Sequence, residues 1–167
     1  MRSITSMGVC IQSAKSFTCC FDKTKKKFFR TFNALYSKCK GANSEMPCIQ
    51  VLKSHCLPIV LYACEAFRAT NAQVKTLNNF VNLAVMKIFG VTESASVKEI
   101  RIMFGLHDID AIIGLRRITF MRDLNRSDDT VCNLLHDLCY KDLMMLCAHY
   151  DVLPDQAYNR LKVVMYK

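Results

Sequence analysis

Apolar residues recur along this chain at three- and four-residue spacings, and that period resolves it into a succession of helices. The most apolar tract runs from Met46 to Phe67, where only Lys53 and Glu65 carry full charge. Ile49, Leu52, Cys56, Ile59 and Ala63 share one helical face there. Ser44 is placed to cap this helix, and Pro47 falls in the first turn, where a missing N–H costs nothing. Pro58 cannot donate to the residue four back, so a kink is expected near Ser54 or His55. Beyond Pro58 apolar residues run almost all round the helix, which must therefore be buried by its neighbours. Its longest uncharged apolar run, Cys56 to Cys64, is well short of the roughly 20 residues that a membrane span needs.

The same period predicts a helix from Ser16 to Cys39. Phe21, Phe28, Phe32, Leu35 and Cys39 face inward there, and Phe29 and Tyr36 widen the stripe. Gly41 closes it. A helix capped by Thr70 or Asn71 runs to Phe89 and ends at Gly90, with Val74, Leu77, Val81, Ala84, Val85 and Ile88 inward. A shorter one follows from Ser96 to Phe104, closed by Gly105. Asp108 caps the next, Ile109 to Leu124, and Asp128-Asp129 caps another from Thr130 to Tyr140, whose continuation through Leu146 is left open. Pro154 opens the last, to Met165. Met7, Val9 and Ile11 alternate and predict one short strand with Gly8 as its weak point; its edge would be unpaired within the chain, as if a partner upstream were missing. The expected fold is all-α, a multi-helix bundle of about six to eight helices with one short N-terminal strand. Residues 1–12 form the strand remnant, 13–125 the main helical domain and 126–167 a C-terminal helical extension.

With 167 residues, 51% of them hydrophobic, the chain can bury a real core and is not a disordered one. No arginine-led apolar leader is visible, so an intracellular setting, cytoplasmic or nuclear, is expected. The net charge of +9 is unevenly spread: residues 1–60 carry ten Lys/Arg against two acids, and residues 61–167 carry thirteen against twelve. The basic N-terminal end points to a polyanion partner. Within it Lys23, Lys25, Lys26, Lys27, Arg30 and Lys38 form the polar side of the phenylalanine helix. Lysines beside aromatic residues suit a helix that tracks phosphates, and they suit equally well a plain solvated face.

Ten cysteines without a secretion signal read as buried free thiols, Cys10, Cys48, Cys56 and Cys64 first among them. The one metal candidate is Cys132, His136 and Cys139, at i, i+4 and i+7, with Cys147 and His149 beyond; the close Cys pair on a turn that opens a compact zinc module is missing. No phosphate loop, Gly-x-Ser-x-Gly elbow or His-Glu-x-x-His helix occurs, and Asp128-Asp129 reads as a helix cap rather than a metal-binding pair. His55 and Cys56 are adjacent on a helix and point apart, so they make no dyad. No enzyme and no cofactor can be argued from these residues.

Two stretches carry a family resemblance. Lys27-Phe28-Phe29-Arg30-Thr31-Phe32-Asn33-Ala34-Leu35 resembles the K-F-x-R-A-F-N-x-I helix of LINE-type, jockey-like non-LTR retrotransposon reverse transcriptases. Leu52-Lys53-Ser54-His55-Cys56-Leu57-Pro58-Ile59-Val60-Leu61-Tyr62 resembles their L-x-K-S-Y-C-L-P-I-L-L-Y segment. Ala84 to Gly90 and Arg116 to Phe120 follow in the family's order. Ser6-Met7-Gly8-Val9 is similar to its palm-exit strand, with Ser6 and Met7 departing from it. The resemblance covers about residues 5 to 125 and implies a thumb and post-thumb region without fingers, palm or the palm's Asp-Asp motif, non-catalytic as it stands. It implies that the helix of Lys25, Lys26, Lys27 and Arg30 lies along an RNA or RNA–DNA hybrid backbone, that Phe28, Phe32, Leu52, Cys56, Pro58, Leu61 and Phe89 build the core, and that a palm domain is a further partner. The family's cysteine knuckle is not recognisable in residues 126–167. The alternative expectation is a helical protein-interaction module with no nucleic-acid role.

Overall fold

From its amino end the chain forms a small antiparallel sheet and then seven helices, in a computed structural model that describes residues 3–6, 9–12, 18–41, 44–65 and 69–166; before residue 20 and after residue 160 it describes backbone alone. The strands are β1 (Ser3–Ser6), β2 (Val9–Gln12) and β3 (Thr18–Cys20), in the order β1-β2-β3. Ile4 pairs with Ile11, and Ile11 in turn with Cys19. This corrects two expectations. There are three strands rather than one, and β2 is paired on both sides within the chain itself. Met7 and Gly8 lie outside the described residues.

The helices are α1 (Asp22–Cys39), α2 (Met46–Leu61), α3 (Asn71–Phe89), α4 (Ser94–Met103), α5 (Ile109–Asn125), α6 (Thr130–Tyr150) and α7 (Pro154–Tyr166). The fold is thus an all-α, multi-helix one by content. Helix α1 starts six residues later than its apolar period suggested, because Thr18–Cys20 is taken by β3. Two compact units divide the chain. One comprises Met1–Ala63 and Asn71–Glu93, the other Cys64–Thr70 and Ser94–Lys167. These boundaries do not coincide with those expected at 12/13 and 125/126.

The first unit is held by an aromatic cluster. Phe28 and Phe32 of α1 are fully or almost fully buried, and the Phe28 ring lies 6.1 Å from that of Phe80 on α3. Phe29 meets the same ring edge-on at 5.8 Å. Helix α2 supplies Ile49, Leu52, Cys56, Val60 and Leu61 to this core. Its middle, Leu52–Cys56, is a single π-helical turn, closed by the Leu57 N–H donating to the Leu52 carbonyl. The reason is local: Pro58 has no N–H for the Ser54 carbonyl and its ring would collide with it, so the turn before it widens. At the place of the expected kink the structure has this widened turn. Ser44 Oγ accepts from the Met46 N–H at 3.2 Å, although Glu45 is the capping residue. The helix stops at Leu61 rather than at Phe67, since Tyr62 is extended and Ala63 adopts φ 58. Two residues expected in the core are corrected: Pro58 is exposed, its neighbours Leu57 and Leu61 turning inward instead, and Phe89 is half-buried at the helix end.

Lys53 sits on the π-turn and is buried, and no acid pairs with it among the described residues. Burial lowers its pKa. Cys56 is fully buried, and the same cause pushes its thiol up to about 11. Cys48 and Cys64 are likewise buried and make no disulfide among the described residues; the side chain of Cys10 lies outside those residues.

The second unit is built on α5, which packs against α6 and α7 and buries Ile109, Ile112, Ile113, Leu115, Ile118 and Met121. Gly114 is required there: a Cβ would enter the ring of Tyr150 on α6. The Tyr150 hydroxyl donates to the Asp110 carbonyl at 3.1 Å. Burial first, then the carboxylate of Asp110, pushes this phenol up to about 12. An unfolded tyrosine titrates near pH 10, so the native stabilisation is whole below that pH and is lost as pH rises through about 12. Denaturant unfolding at stepped pH is expected to show stability falling between about pH 10 and 12, and Tyr150→Phe should flatten that limb. An unchanged limb in the variant would show that Tyr150 is not its source.

Candidate nucleic-acid interface

Helix α1 separates its apolar and basic residues by angle. At about 100° per residue, Lys23, Lys26, Lys27, Arg30 and Lys38 fall within an arc of about 120°, opposite the buried Phe28 and Phe32. All five are exposed. Lys25 is exposed as well but lies about 100° beyond the near edge of the arc, within about 20° of Phe32 on the phenylalanine side. The structure therefore brings five of the six basic residues into one row and leaves Lys25 apart.

The charges on this row differ from those of five arginines of the second unit. In the second unit Arg101, Arg116, Arg117, Arg122 and Arg126 each pair with a carboxylate, of Asp108, Glu65, Asp142, Asp123 and Asp155 respectively, at 2.6 to 3.6 Å. Among the described residues Lys26, Lys27, Arg30 and Lys38 have no ion pair of this kind. Uncompensated cations in a row on a rigid helix are what a phosphate backbone meets best.

Comparison with protein-family models, curated proteins and solved structures gives no match. Function has to be argued from the site itself.

One basic residue was missed by the sequence reading. Lys87, near the end of α3, donates from Nζ to Asn33 Oδ1 at 2.7 Å and lies 5.4 Å from the Tyr36 ring centroid. Tyr36 in turn donates its hydroxyl to the Lys87 carbonyl at 3.2 Å. These contacts tie α3 to the C-terminal half of α1 and hold a further cation beside it. The pairing joins residues 51 to 54 positions apart, and no local spacing could have shown it.

The metal candidate fares differently. Cys132, His136 and Cys139 do share α6, but no group of three or more His, Cys, Asp or Glu among the described residues is arranged to hold an ion. His136 is buried against Tyr140, their ring centroids 5.9 Å apart, with Asp137 Oδ1 at 3.5 Å from its Nδ1. Asp129 caps α6, accepting from the Val131 N–H at 2.7 Å, as its position before the apolar run implied. Ser54 Oγ and His55 Nδ1 are 2.7 Å apart, but the Ser54 hydroxyl donates to the Gln50 carbonyl at 2.8 Å, which spends its proton on the helix. No single helix among the described residues is long and apolar enough to cross a membrane.

Proposed function

We propose that the protein binds RNA or an RNA–DNA hybrid along its sugar–phosphate backbone, without sequence preference and without a catalytic step, through α1. The observation that carries this reading is the exposed row Lys23, Lys26, Lys27, Arg30 and Lys38, set opposite a rigid phenylalanine core. The motif resemblance of residues 27–35 and 52–62 supports the same assignment as a thumb-like module of a retrotransposon reverse transcriptase, whose palm would be a second partner. Five phosphate contacts imply that log K falls against log salt with a slope of about −3.5 on single-stranded RNA and about −4.5 on a duplex.

The test is a binding isotherm on a fluorescent hybrid at several salt concentrations. Lys26→Glu/Lys27→Glu/Arg30→Glu should lose binding to below detection while circular dichroism stays unchanged. Lys25→Glu, off the row, should cost only a few-fold. If the triple variant binds as the parent does, α1 is not the interface. A helical protein-interaction module is the rival reading, and the exposed apolar side chains of α6 favour it. Salt separates the two, because apolar contacts survive the ionic strength that releases phosphates.

A further inference from the structure

Helix α6 turns one face to the core of its unit, through His136, Leu143 and Cys147, and a second apolar face to solvent. On the outer face Val131, Leu134, Leu138 and Met145 are exposed by 63%, 60%, 73% and 58%. Val131, Leu138 and Met145 recur every seven residues, with Leu134 and Lys141 at the intervening positions, which is the a/d pattern of a helix that pairs with another helix, one d position being a lysine. The row is about 21 Å long. Exposed apolar side chains in a continuous row of this kind mark an interface.

We infer that this face pairs with the same face of a second copy of the chain, antiparallel and about a two-fold axis. The charges along its edges choose both the partner and the direction. Lys141 takes the second intervening position of the row, Asp137 lies one turn before it on the adjoining edge, and Asp142 lies on the other edge, engaged with Arg117 at 3.6 Å. Asp137 is exposed, and Lys141 has no ion pair among the described residues. A parallel pairing would set the Asp137 edge against Asp142 of the second copy, with like charges facing. An antiparallel pairing sets equal edges together. With its axis level with Cys139 it places Asp137 opposite Lys141 of the second copy, twice by symmetry. In that register Met145 enters between Val131 and Leu134 of the second copy, and the two Leu138 side chains lie side by side. The face is complementary to itself, as a two-fold interface requires.

Sedimentation equilibrium over a concentration series tests this. The parent protein should show a reversible monomer–dimer equilibrium, and Leu138→Glu, at an exposed position where helicity should be kept, should weaken it at least tenfold. Asp137→Lys and Lys141→Asp should each weaken it roughly three- to tenfold through the two symmetric pairs. An equimolar mixture of those two variants should recover dimers, since the swapped charges then match across the axis. A parent that stays monomeric up to about 200 µM, as when an unrelated protein or another segment covers the face, would overturn the inference. So would a dimer indifferent to Leu138→Glu.

Discussion

Phe28→Ala is expected to destabilise the first unit by about 3–5 kcal/mol, the usual cost of emptying a fully buried aromatic site. Phe28 is the point where α1 meets α3: its ring touches Phe29 and Phe32 on its own helix and Phe80 across it, with centroids 5.1 to 6.3 Å apart. Nothing polar in that cluster could draw water in to refill the space, so the loss combines transfer and cavity terms. Urea unfolding followed at the helical band should show the midpoint falling with the slope unchanged. Phe28→Leu, which keeps most of the volume, should cost about 1–1.5 kcal/mol. A loss under 1 kcal/mol for the alanine variant would mean that the cluster does not anchor α1. The same variant should also weaken hybrid binding under the proposed function, since the basic row is aimed by the core behind it.

The second large effect is expected at Arg101. Its side chain is 7% exposed and closes the turn from α4 to α5, donating from Nε to the Leu106 carbonyl at 3.1 Å and from Nη2 to the His107 carbonyl at 2.7 Å. Burial lowers its pKa and the nearby Asp108 carboxylate partly restores it. Arg101→Met fills similar space but leaves those carbonyls without donors, at a cost of about 2–4 kcal/mol. Asp108, by contrast, is 76% exposed although 3.2 Å from the guanidinium, so Asp108→Ala should cost no more than about 1 kcal/mol. Thermal unfolding of the two variants side by side decides the matter. Equal losses would mean that the ion pair, not the carbonyl bonds, holds the turn.

What could be read from the sequence was local. Asp129 before an apolar run, Gly90 and Gly105 after theirs, and Pro154 at the head of α7 set helix ends within two or three residues, because caps and left-handed closures are properties of neighbouring residues, whereas Asp108 stands at the head of α5 without a side-chain capping bond. The end of α2 was not legible: Ala63 takes a left-handed conformation with neither glycine nor proline to announce it. Helix α6 runs on to Tyr150 because Met144, Met145 and Ala148 are good helix formers, and Asp151 then closes it at φ 48. Only the strand around Val9 and Ile11 is legible in the sequence; β1 and β3 are not, because they have only three or four residues, rich in Ser, Thr and Cys, and their stability comes from pairing between segments, which one segment's pattern does not record. At the candidate interface, composition and position revealed the basic helix, and helical angle alone already sets Lys25 apart. The anchoring role of Lys87 depended on how α1 and α3 meet.

The widened turn in α2 acts as a one-residue phase correction. A regular helix through this segment would spread Cys48, Ile49, Leu52, Cys56, Leu57, Val60 and Leu61 over about 220° of its circumference, far more than one core can cover. A π-helical turn advances each residue less than an α-helical one, and over Leu52–Cys56 the shortfall amounts to about 100°. That rotation swings Leu57, Val60 and Leu61 back into line with Cys48, Ile49 and Leu52, all of which are buried. The apolar residues that run almost all round the helix beyond Pro58 are thereby gathered onto one side. A proline that would otherwise only break the helix sets the register in which its second half meets the core.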